Sequence, residues 1–499
     1  MTILIWFRLD LRLHDHGLLE QALSTGQSII PFYCFDPRHF GPTSFGFAKT
    51  GPYRARFLCQ SVADLGRSLR SLGSDLVLRQ GYPEAIIPDL VTRLGVTRVM
   101  WYRQADPAEQ AIELALSQPL AALGVETLTA WGSTLYHLDH LPFSLAELPE
   151  LFTPFRQAVE RHSSILPPRP RPPRLPPLPP VEVGRLPTLA DLGLTEFRPD
   201  RRAVLTFEGG EQAGLARLQD YIWQTDAIRT YKLTRNGLVG PNYSSKLSPW
   251  LALGCLSPRQ VYASISQYET ERVKNESTYW LVFELLWRDY FHFILAKHGD
   301  RLFDSAGLRR LDIAWSQDWS DFEAWSSGLT GFPLIDANMR ELAATGFMSN
   351  RGRQNVASFL TKNLGLDWRL GAQWFESLLI DYDVCSNYGN WNYAAGIGND
   401  GRGFRYFNIL NQAQNYDPQG SYVKIWLPEL RSLPPSQVHQ PWRLTAAQQQ
   451  DFGVNLGVDY PLPRVDLDES VRSNKEIYSR AESGIHKPRA QGGSSFNLI

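Results

Sequence analysis

Residues 277–299 read STYWLVFELLWRDYFHFILAKHG, and this stretch decides the fold class of the second half of the chain. Apolar side chains recur around most of its turns: Leu281, Phe283, Leu285, Phe291 and Ile294. Such a pattern predicts a long, buried α-helix. Glu284, Trp287 and Arg288 share one face of it at i, i+3 and i+4. This face is either a surface salt bridge beside a core tryptophan or part of a polar pocket, because unpaired buried charges are costly.

Helical spacing continues on both sides of this stretch. Apolar residues recur every three or four positions in four further runs: GLARLQDYIWQ (214–224), DANMRELAATG (336–346), RQNVASFLTKNLG (353–365) and GAQWFESLLIDY (371–382). They predict an all-α domain over residues 208–440.

The first 132 residues have a different rhythm. Short β-branched, apolar runs alternate there with amphipathic stretches: ILIWF (3–7), IIPFYCF (29–35), DLVLRQ (75–80), VTRVMWY (96–102) and VETLTAW (125–131). This order is typical of βαβ units, so we expect an α/β domain with a doubly wound parallel sheet over residues 1–132. Its ligands would lie at the carboxyl ends of the strands.

Two further segments complete the predicted organisation. Residues 133–207 are expected to connect the domains, and their segment 167–180, PPRPRPPRLPPLPP, should run as polyproline II. A ligand for an SH3-type domain is the alternative interpretation of that segment. Residues 441–499 are polar and are predicted to be disordered.

Composition excludes several classes of protein. The formal net charge of −1 argues against a generally basic nucleic-acid coat, although a local basic face stays open. The four cysteines form no CxxC pair, so we expect no disulfide framework, no structural metal site and a reducing, cytoplasmic location. Charge at Arg8 interrupts any signal peptide, and no apolar run reaches membrane-spanning length. We expect a monomer without a membrane partner.

Three clusters carry chemistry. FMSNRGRQNVASF (347–359) and LLIDYDVCSNYGNWNYAAG (378–396) combine charged side chains, amides and aromatic rings, which predicts an aromatic-walled pocket for a polyfunctional ligand. YSSKLSPWLALGCLSP (243–258) begins with hydroxyls and a lysine ahead of an apolar helix. Ser244 or Ser245 can be an ordinary N-cap there, or the segment can receive a phosphate.

These strings, together with WFRLDLRLHD (6–15) and TRNGLVGPNYSSKLSPWLALGCLSPR (234–259), resemble the photolyase/cryptochrome family, and within it the cryptochrome DASH branch. The resemblance covers about residues 1–430. It implies an N-terminal antenna domain and a helical domain that binds FAD. The residues that match the family's FAD contacts are Tyr231, Ser244, Ser245, Lys246, Leu247, Ser248, Glu284, Arg288, Asn350, Arg353, Asp381, Asp383 and Asn387.

The resemblance also implies a substrate and a reaction. Glu284 and Trp287 match the pocket for a cyclobutane pyrimidine dimer flipped out of its strand, and Asn387 would face flavin N5. Further matches on the DNA side are Arg351, Gln354 and Tyr393. Trp391, Trp368 and Trp315 match a three-tryptophan electron relay. The implied activity is blue-light-driven dimer repair by electron transfer.

Two departures bear on this expectation. Gln354 and Tyr393 stand where photolyases of duplex DNA usually carry methionine and tryptophan, so we expect repair mainly in single-stranded DNA and only nonspecific binding of duplex DNA or RNA. Gln104 stands where a folate-binding DASH protein usually has glutamate, although Asp106 or Glu109 could substitute. The antenna is therefore methenyltetrahydrofolate, 8-hydroxydeazaflavin or absent. The alternative function is a photoreceptor that regulates without repairing.

Overall fold

A computed structural model describes residues 2–400 and 403–485 of the chain. Its first part contains one parallel sheet in the order β3-β2-β1-β4-β5. The strands are β1 (Thr2–Phe7), β2 (Ser28–Phe35), β3 (Val77–Gln80), β4 (Val96–Tyr102) and β5 (Glu126–Ala130). The connecting helices are α1 (Gly17–Ser24), α2 (Pro52–Ser71), α3 (Pro83–Leu94) and α4 (Pro107–Ala122). The predicted doubly wound sheet is confirmed, with its change of direction between β1 and β4.

Alternation along β1 gives the sheet two apolar faces. Ile3, Ile5 and Phe7 belong to a core that continues into the helical part of the chain, whereas Leu4 and Trp6 pack in a second core with α3 and α4. Successive strand side chains point to opposite faces, so one strand serves both layers. The shared core joins the sheet to the helical domain.

From Glu211 onwards the described chain is mainly helical, as predicted. After α5 (Phe152–His162) come α6 (Glu211–Gln219), α7 (Tyr231–Thr234), α8 (Ser248–Ala252), α9 (Pro258–Glu271), α10 (Glu276–His298), α11 (Trp319–Ser326), α12 (Pro333–Thr345), α13 (Asn350–Ser358), α14 (Trp368–Leu378), α15 (Val384–Ala395), α16 (Ile409–Tyr416), α17 (Ser421–Trp426), α18 (Ala446–Phe452) and α19 (Leu467–Ile485). None of the helices in this described part is long and apolar enough to cross a membrane.

Helix α10 contains residues 277–298, and with them Glu284, Trp287 and Arg288. Asn275 caps its start, since its side chain accepts hydrogen bonds from the backbone N–H groups of Ser277 and Thr278 at 2.8 and 3.0 Å. Gly299, with a φ of 54°, ends it. Asp289 in its middle is fully buried and accepts the backbone N–H groups of Leu135 and Tyr136, both at 2.9 Å. This bond ties the start of the connector to the helical domain.

The connector follows the surface of the first domain. Residues 167–180 contain neither helix nor strand, as the proline content predicts. The backbone N–H of Leu175 donates to the Leu72 carbonyl at 2.8 Å, and that of Leu78 in β3 donates to the Val183 carbonyl at 2.7 Å. The domain boundaries at 132, 207 and 440 stay predictions.

The predicted disorder of residues 441–499 is wrong for residues 441–485. This segment carries α18 and α19, and Tyr460 and Tyr478 are buried in the core of the helical domain. The Tyr460 hydroxyl donates to Asp336 at 2.5 Å. A few widely spaced aromatic residues anchor this polar segment in the core, and the average composition of the segment does not reveal them. Residues 486–499, the remainder of that prediction, lie outside the described residues.

Candidate active site

A cleft in the helical domain holds about 1070 Å³ of space free of atoms, part of it open to solvent. Helices α7, α8, α10, α13 and α15 contribute to its walls. Most residues predicted for FAD line it: Tyr231, Ser244, Ser245, Lys246, Leu247, Ser248, Glu284, Arg288, Asn350, Arg353, Asp381 and Asp383. The segments that sequence reasoning singled out separately therefore meet in one cavity.

The loop that leads into α8 forms one end of the cleft. Arg217, which sequence analysis did not identify, stabilises this loop by donating a hydrogen bond to the Ser245 carbonyl at 3.0 Å. Lys246 is buried and adopts a φ of 53°, a conformation that few residues other than glycine take. Burial, with the nearby charge of Arg217, lowers the pKa of Lys246 to about 6. An anion bound at this loop would favour the charged amine.

An ion pair occupies the middle of the cleft. Arg353 donates from Nη2 to both carboxylate oxygens of Asp381, at 3.0 and 2.8 Å, and Ser248 donates its hydroxyl to Asp381 at 2.6 Å. The Arg353 Nε donates to the Met348 carbonyl at 3.0 Å, which fixes the plane of the guanidinium. Asp381 thus accepts three hydrogen bonds from two donor groups, which fix its orientation.

A second acidic side chain, Asp383, caps α15 by accepting the backbone N–H of Ser386 at 2.7 Å. Its Oδ2 lies 3.8 Å from Arg288 Nη2 and 3.3 Å from His292 Nε2. Burial alone would raise the pKa of Asp383, but His292 and Arg288 outweigh it and hold that pKa below its usual value. The side chain is therefore an anion at neutral pH.

Asp383, His292 and Cys385 bring one potential metal-ligand atom each within 4.8 Å of one another. Burial raises the pKa of the Cys385 thiol far above its usual value. Arg288 already supplies positive charge to Asp383. We therefore assign no metal to this cluster.

Glu284 lies at the cleft wall beside an arginine that the sequence did not single out. Arg235 Nη2 approaches Glu284 Oε1 at 2.8 Å. Burial raises the pKa of Glu284, and the charge of Arg235 opposes that rise. Arg235 stands one helical turn after Tyr231, which is the spacing signal that could have found it.

Trp287 is on the same helix but does not line the cleft. Its ring stacks on Phe152 with centroids 3.7 Å apart and planes 9° from parallel, and the ring of Tyr393 meets it at 5.8 Å and 81°. Phe152 is a connector residue that sequence reasoning missed. The structure thus brings Trp287 and Tyr393 together, as the substrate prediction requires.

Three other predicted residues also lie outside the cleft lining. Asn387 is buried and donates from Nδ2 to the Ala372 carbonyl at 3.0 Å. Arg351 donates to Asn236 at 3.1 Å, and its guanidinium lies 4.6 Å from the centre of the Tyr416 ring. The Gln354 Oε1 is buried without a hydrogen-bond donor among the described residues. Their assigned roles stay predictions.

The three tryptophans predicted for the relay differ in exposure. Trp391 and Trp368 are buried, and Trp315 is half-buried. Trp391 packs on Gly371 of α14, where an added Cβ would come within 2.1 Å of the indole, so only glycine fits. Trp368 and Trp315 donate their indole N–H groups to one acceptor, the Ser305 carbonyl, at 3.1 and 3.0 Å. These two rings therefore converge on one carbonyl oxygen.

The polar side chains predicted for the antenna site of the first domain already have partners within the protein. The Gln104 side chain donates to the Tyr102 carbonyl at 3.2 Å. Asp106 caps α4, and Glu109 contacts Arg8 and lies 2.7 Å from His39. Neither carboxylate that could replace the missing glutamate is thus free of other partners. The antenna stays open among the three alternatives.

A parallel α/β domain joined to a helical domain with this cleft defines a flavin-binding protein of the photolyase class. The model "FAD binding domain of DNA photolyase" matches residues 280–480, and the model "DNA photolyase" matches residues 3–177. The twelve lining residues named above include hydroxyls, a lysine and two arginines, a donor set that suits a diphosphate. FAD is therefore the cofactor of this chain.

Similar proteins identify the branch. The Gloeobacter violaceus protein "Cryptochrome DASH" is 60% identical over 98% of both chains. The crystal structure of a Synechocystis cryptochrome is 54% identical, with a TM-score of 0.93 over 95% of this chain and 99% of that one. A bacterial class III photolyase from Agrobacterium tumefaciens is 32% identical, with a TM-score of 0.86 over 97% and 98%. The chain belongs to the cryptochrome DASH branch of the photolyase/cryptochrome family.

Proposed function

We propose that this chain is a blue-light-dependent photolyase that reverses cyclobutane pyrimidine dimers, mainly in single-stranded DNA. The observation that carries the proposal is the position of Glu284. Glu284 lines the same cleft as the predicted FAD contacts. Trp287, one turn further along α10, contacts Tyr393, which is also predicted for the DNA side.

The residues of the cleft fit FAD by charge and by hydrogen bonding. Lys246 and the hydroxyls of Ser244, Ser245 and Ser248 would hold the diphosphate and the adjoining chain. The Arg353–Asp381 pair would lie against the ring system and keep its surroundings polar but electrically balanced. When bound there, FAD would supply light-driven one-electron chemistry for splitting the cyclobutane ring.

The protein's own groups bind and orient the dimer. The Glu284 carboxylate can accept hydrogen bonds from pyrimidine N–H groups, and the Arg235 guanidinium holds its orientation. Trp287 offers an apolar face for stacking. A dimer leaves a single strand at a lower free-energy cost than a stacked duplex, which matches a pocket with Tyr393 and Gln354 in place of bulkier or more apolar groups.

We assign electron delivery for cofactor reduction to Trp391, Trp368 and Trp315. The burial of Trp391 and Trp368 and the partial exposure of Trp315 support this assignment. Single-stranded DNA as the main partner, a monomeric state and a cytoplasmic location complete the proposal.

The second candidate is a light sensor that regulates without repair. The observation in its favour is that α19, near the end of the described chain, packs on the outer end of the predicted relay, where Tyr478 meets Trp315 with ring centroids 5.9 Å apart. A change in the charge of Trp315 would alter the surroundings of Tyr478 and therefore of α19.

Illumination of reduced holoprotein with a dimer-containing single-stranded oligonucleotide tests the proposal. Recovery of pyrimidine ultraviolet absorbance is expected, and its failure with FAD bound and reduced would refute repair in favour of the sensor. Glu284→Gln should slow recovery while FAD stays bound. Glu276→Gln, an exposed carboxylate on the same helix, is the matched control and should leave the rate unchanged.

A further inference from the structure

Phe152, the first residue of α5, stacks on Trp287 more closely than any other ring does among the described residues. The two planes are nearly parallel and the centroids are 3.7 Å apart, which is the spacing of stacked bases rather than of ordinary core aromatics. Phe152 is only 5% exposed. One face of the indole is therefore covered by the protein itself.

The geometry of α10 shows which face is covered. Phe152 contacts Phe283, Trp287 and Tyr290 of this helix. The α10 residues that line the cleft are Leu281, Glu284, Leu285 and Arg288. With about 3.6 residues per turn, the two sets are centred roughly 140° apart around the helix axis. Phe152 thus backs Trp287 from the side away from the cleft.

Phe152 is held there by α10 itself. The Tyr290 hydroxyl donates to the Glu150 carbonyl at 2.5 Å, and Lys297 Nζ donates to the Leu148 carbonyl at 2.7 Å. Asn399 donates from Nδ2 to the same Glu150 carbonyl at 2.7 Å. The backbone two to four residues before Phe152 is therefore fixed to the helix whose tryptophan it supports.

We propose that Phe152 is a positioning residue for the substrate. It clamps the indole of Trp287 from behind, and the Tyr393 ring bounds its edge, so that the opposite face of the indole stays oriented to stack on the paired pyrimidines of a flipped dimer. The interdomain connector thereby contributes to the substrate wall. This inference rests on the proposed repair function.

A rival interpretation is that Phe152 occupies the place of the substrate and must move before binding. Its burial, its contacts on the far side of α10 and its fixed backbone all oppose that interpretation. The two differ in outcome, because removing a backing ring weakens dimer binding whereas removing a plug strengthens it.

The experiment compares dark binding of FAD-loaded protein to two fluorescent single-stranded oligonucleotides of one sequence, one carrying a dimer and one undamaged. Phe152→Leu keeps an apolar side chain but removes the flat ring. It should raise the Kd for the damaged strand by about three- to tenfold, since an aromatic pair contributes roughly 0.5–1.5 kcal/mol, and leave the Kd for the undamaged strand unchanged. Phe152→Tyr should restore the ratio of the two constants.

Phe155→Leu is the matched control. Phe155 lies one turn further along α5, is fully buried and contacts Phe152, Tyr290 and Phe293 but not Trp287. A general loss of packing would affect both leucine variants, so the ratio of the two Kd values should change only in Phe152→Leu. In the double variant with Trp287→Leu, the loss should equal that of Trp287→Leu alone, because Phe152 acts through the indole.

Each outcome has a distinct meaning. An unchanged or improved ratio in Phe152→Leu, with the ratio lost in Trp287→Leu, would overturn the positioning role and leave the proposed function intact. A wild-type protein that does not distinguish the two strands would overturn both. Absence of repair in the light with discrimination preserved in the dark would overturn only the repair activity.

Discussion

Replacement of Tyr478 by alanine is expected to destabilise the protein. Tyr478 lies in α19, is 3% exposed and donates its hydroxyl to the Ala395 carbonyl at 2.7 Å. Its ring lies 3.6 Å from the ammonium of Lys362, a fully buried lysine. Truncating a buried aromatic side chain costs about 3–5 kcal/mol. We therefore expect the free energy of unfolding to fall by about 3 kcal/mol, unless α19 detaches first and limits the loss.

The assay is urea denaturation followed by far-ultraviolet circular dichroism, with hydrogen exchange of the α19 amides. Tyr478→Phe keeps the ring and loses one hydrogen bond, so its cost should be about 1 kcal/mol. Tyr406→Ala is the control, because Tyr406 is 41% exposed and its loss should change stability by less than about 0.5 kcal/mol. If Tyr478→Ala matched that control and α19 amides exchanged freely, the helix would not be docked and the composition-based prediction of disorder would stand.

Two further predictions concern the relay and its neighbourhood. Trp368→Phe should slow photoreduction of oxidised flavin without affecting repair by chemically reduced protein, whereas the exposed Trp319→Phe should change neither; equal photoreduction rates would remove Trp368 from the relay. Lys362→Met should stabilise the protein at pH 7, because burial lowers the pKa of Lys362 well below its usual value and charging it in the folded state is unfavourable. The unfolded chain binds this proton more tightly than the folded protein does, so the stability of the wild type rises with pH. The stability advantage of the methionine variant should therefore shrink towards about pH 10, where the lysine loses its proton in the unfolded chain as well. Urea denaturation at pH 7 and pH 9.5 checks this, and a pH-independent difference would contradict it.

The sequence predicts well those features of the structure that depend on one helix or one strand alone. Glu284 and Arg288 face one cavity because they are one turn apart on α10, and alternation in β1 predicts a strand with two apolar faces. Arg217, Arg235 and Phe152 were missed for a physical reason. Each acts through a contact between elements that are distant in the chain. Spacing within one element can place a residue on a face, as it does for Arg235 one turn after Tyr231, but it does not reveal the partner in another element. The prediction of disorder at Tyr478 was wrong for the same reason, since the Ala395 carbonyl that its hydroxyl contacts lies more than 80 residues earlier in the chain.

The carboxylates in the walls of the cleft are paired with arginines. Each carboxylate named in its walls faces a guanidinium: Glu284 with Arg235, Asp381 with Arg353 and Asp383 with Arg288. Each pair fixes the orientation of its carboxylate against a guanidinium. In the proposed function these pairs orient the cofactor and the substrate, and the bond-breaking chemistry would fall to the bound flavin. It follows that changes within the pairs should act first on cofactor retention, whereas changes at Trp287 and Phe152 should act on the choice of substrate.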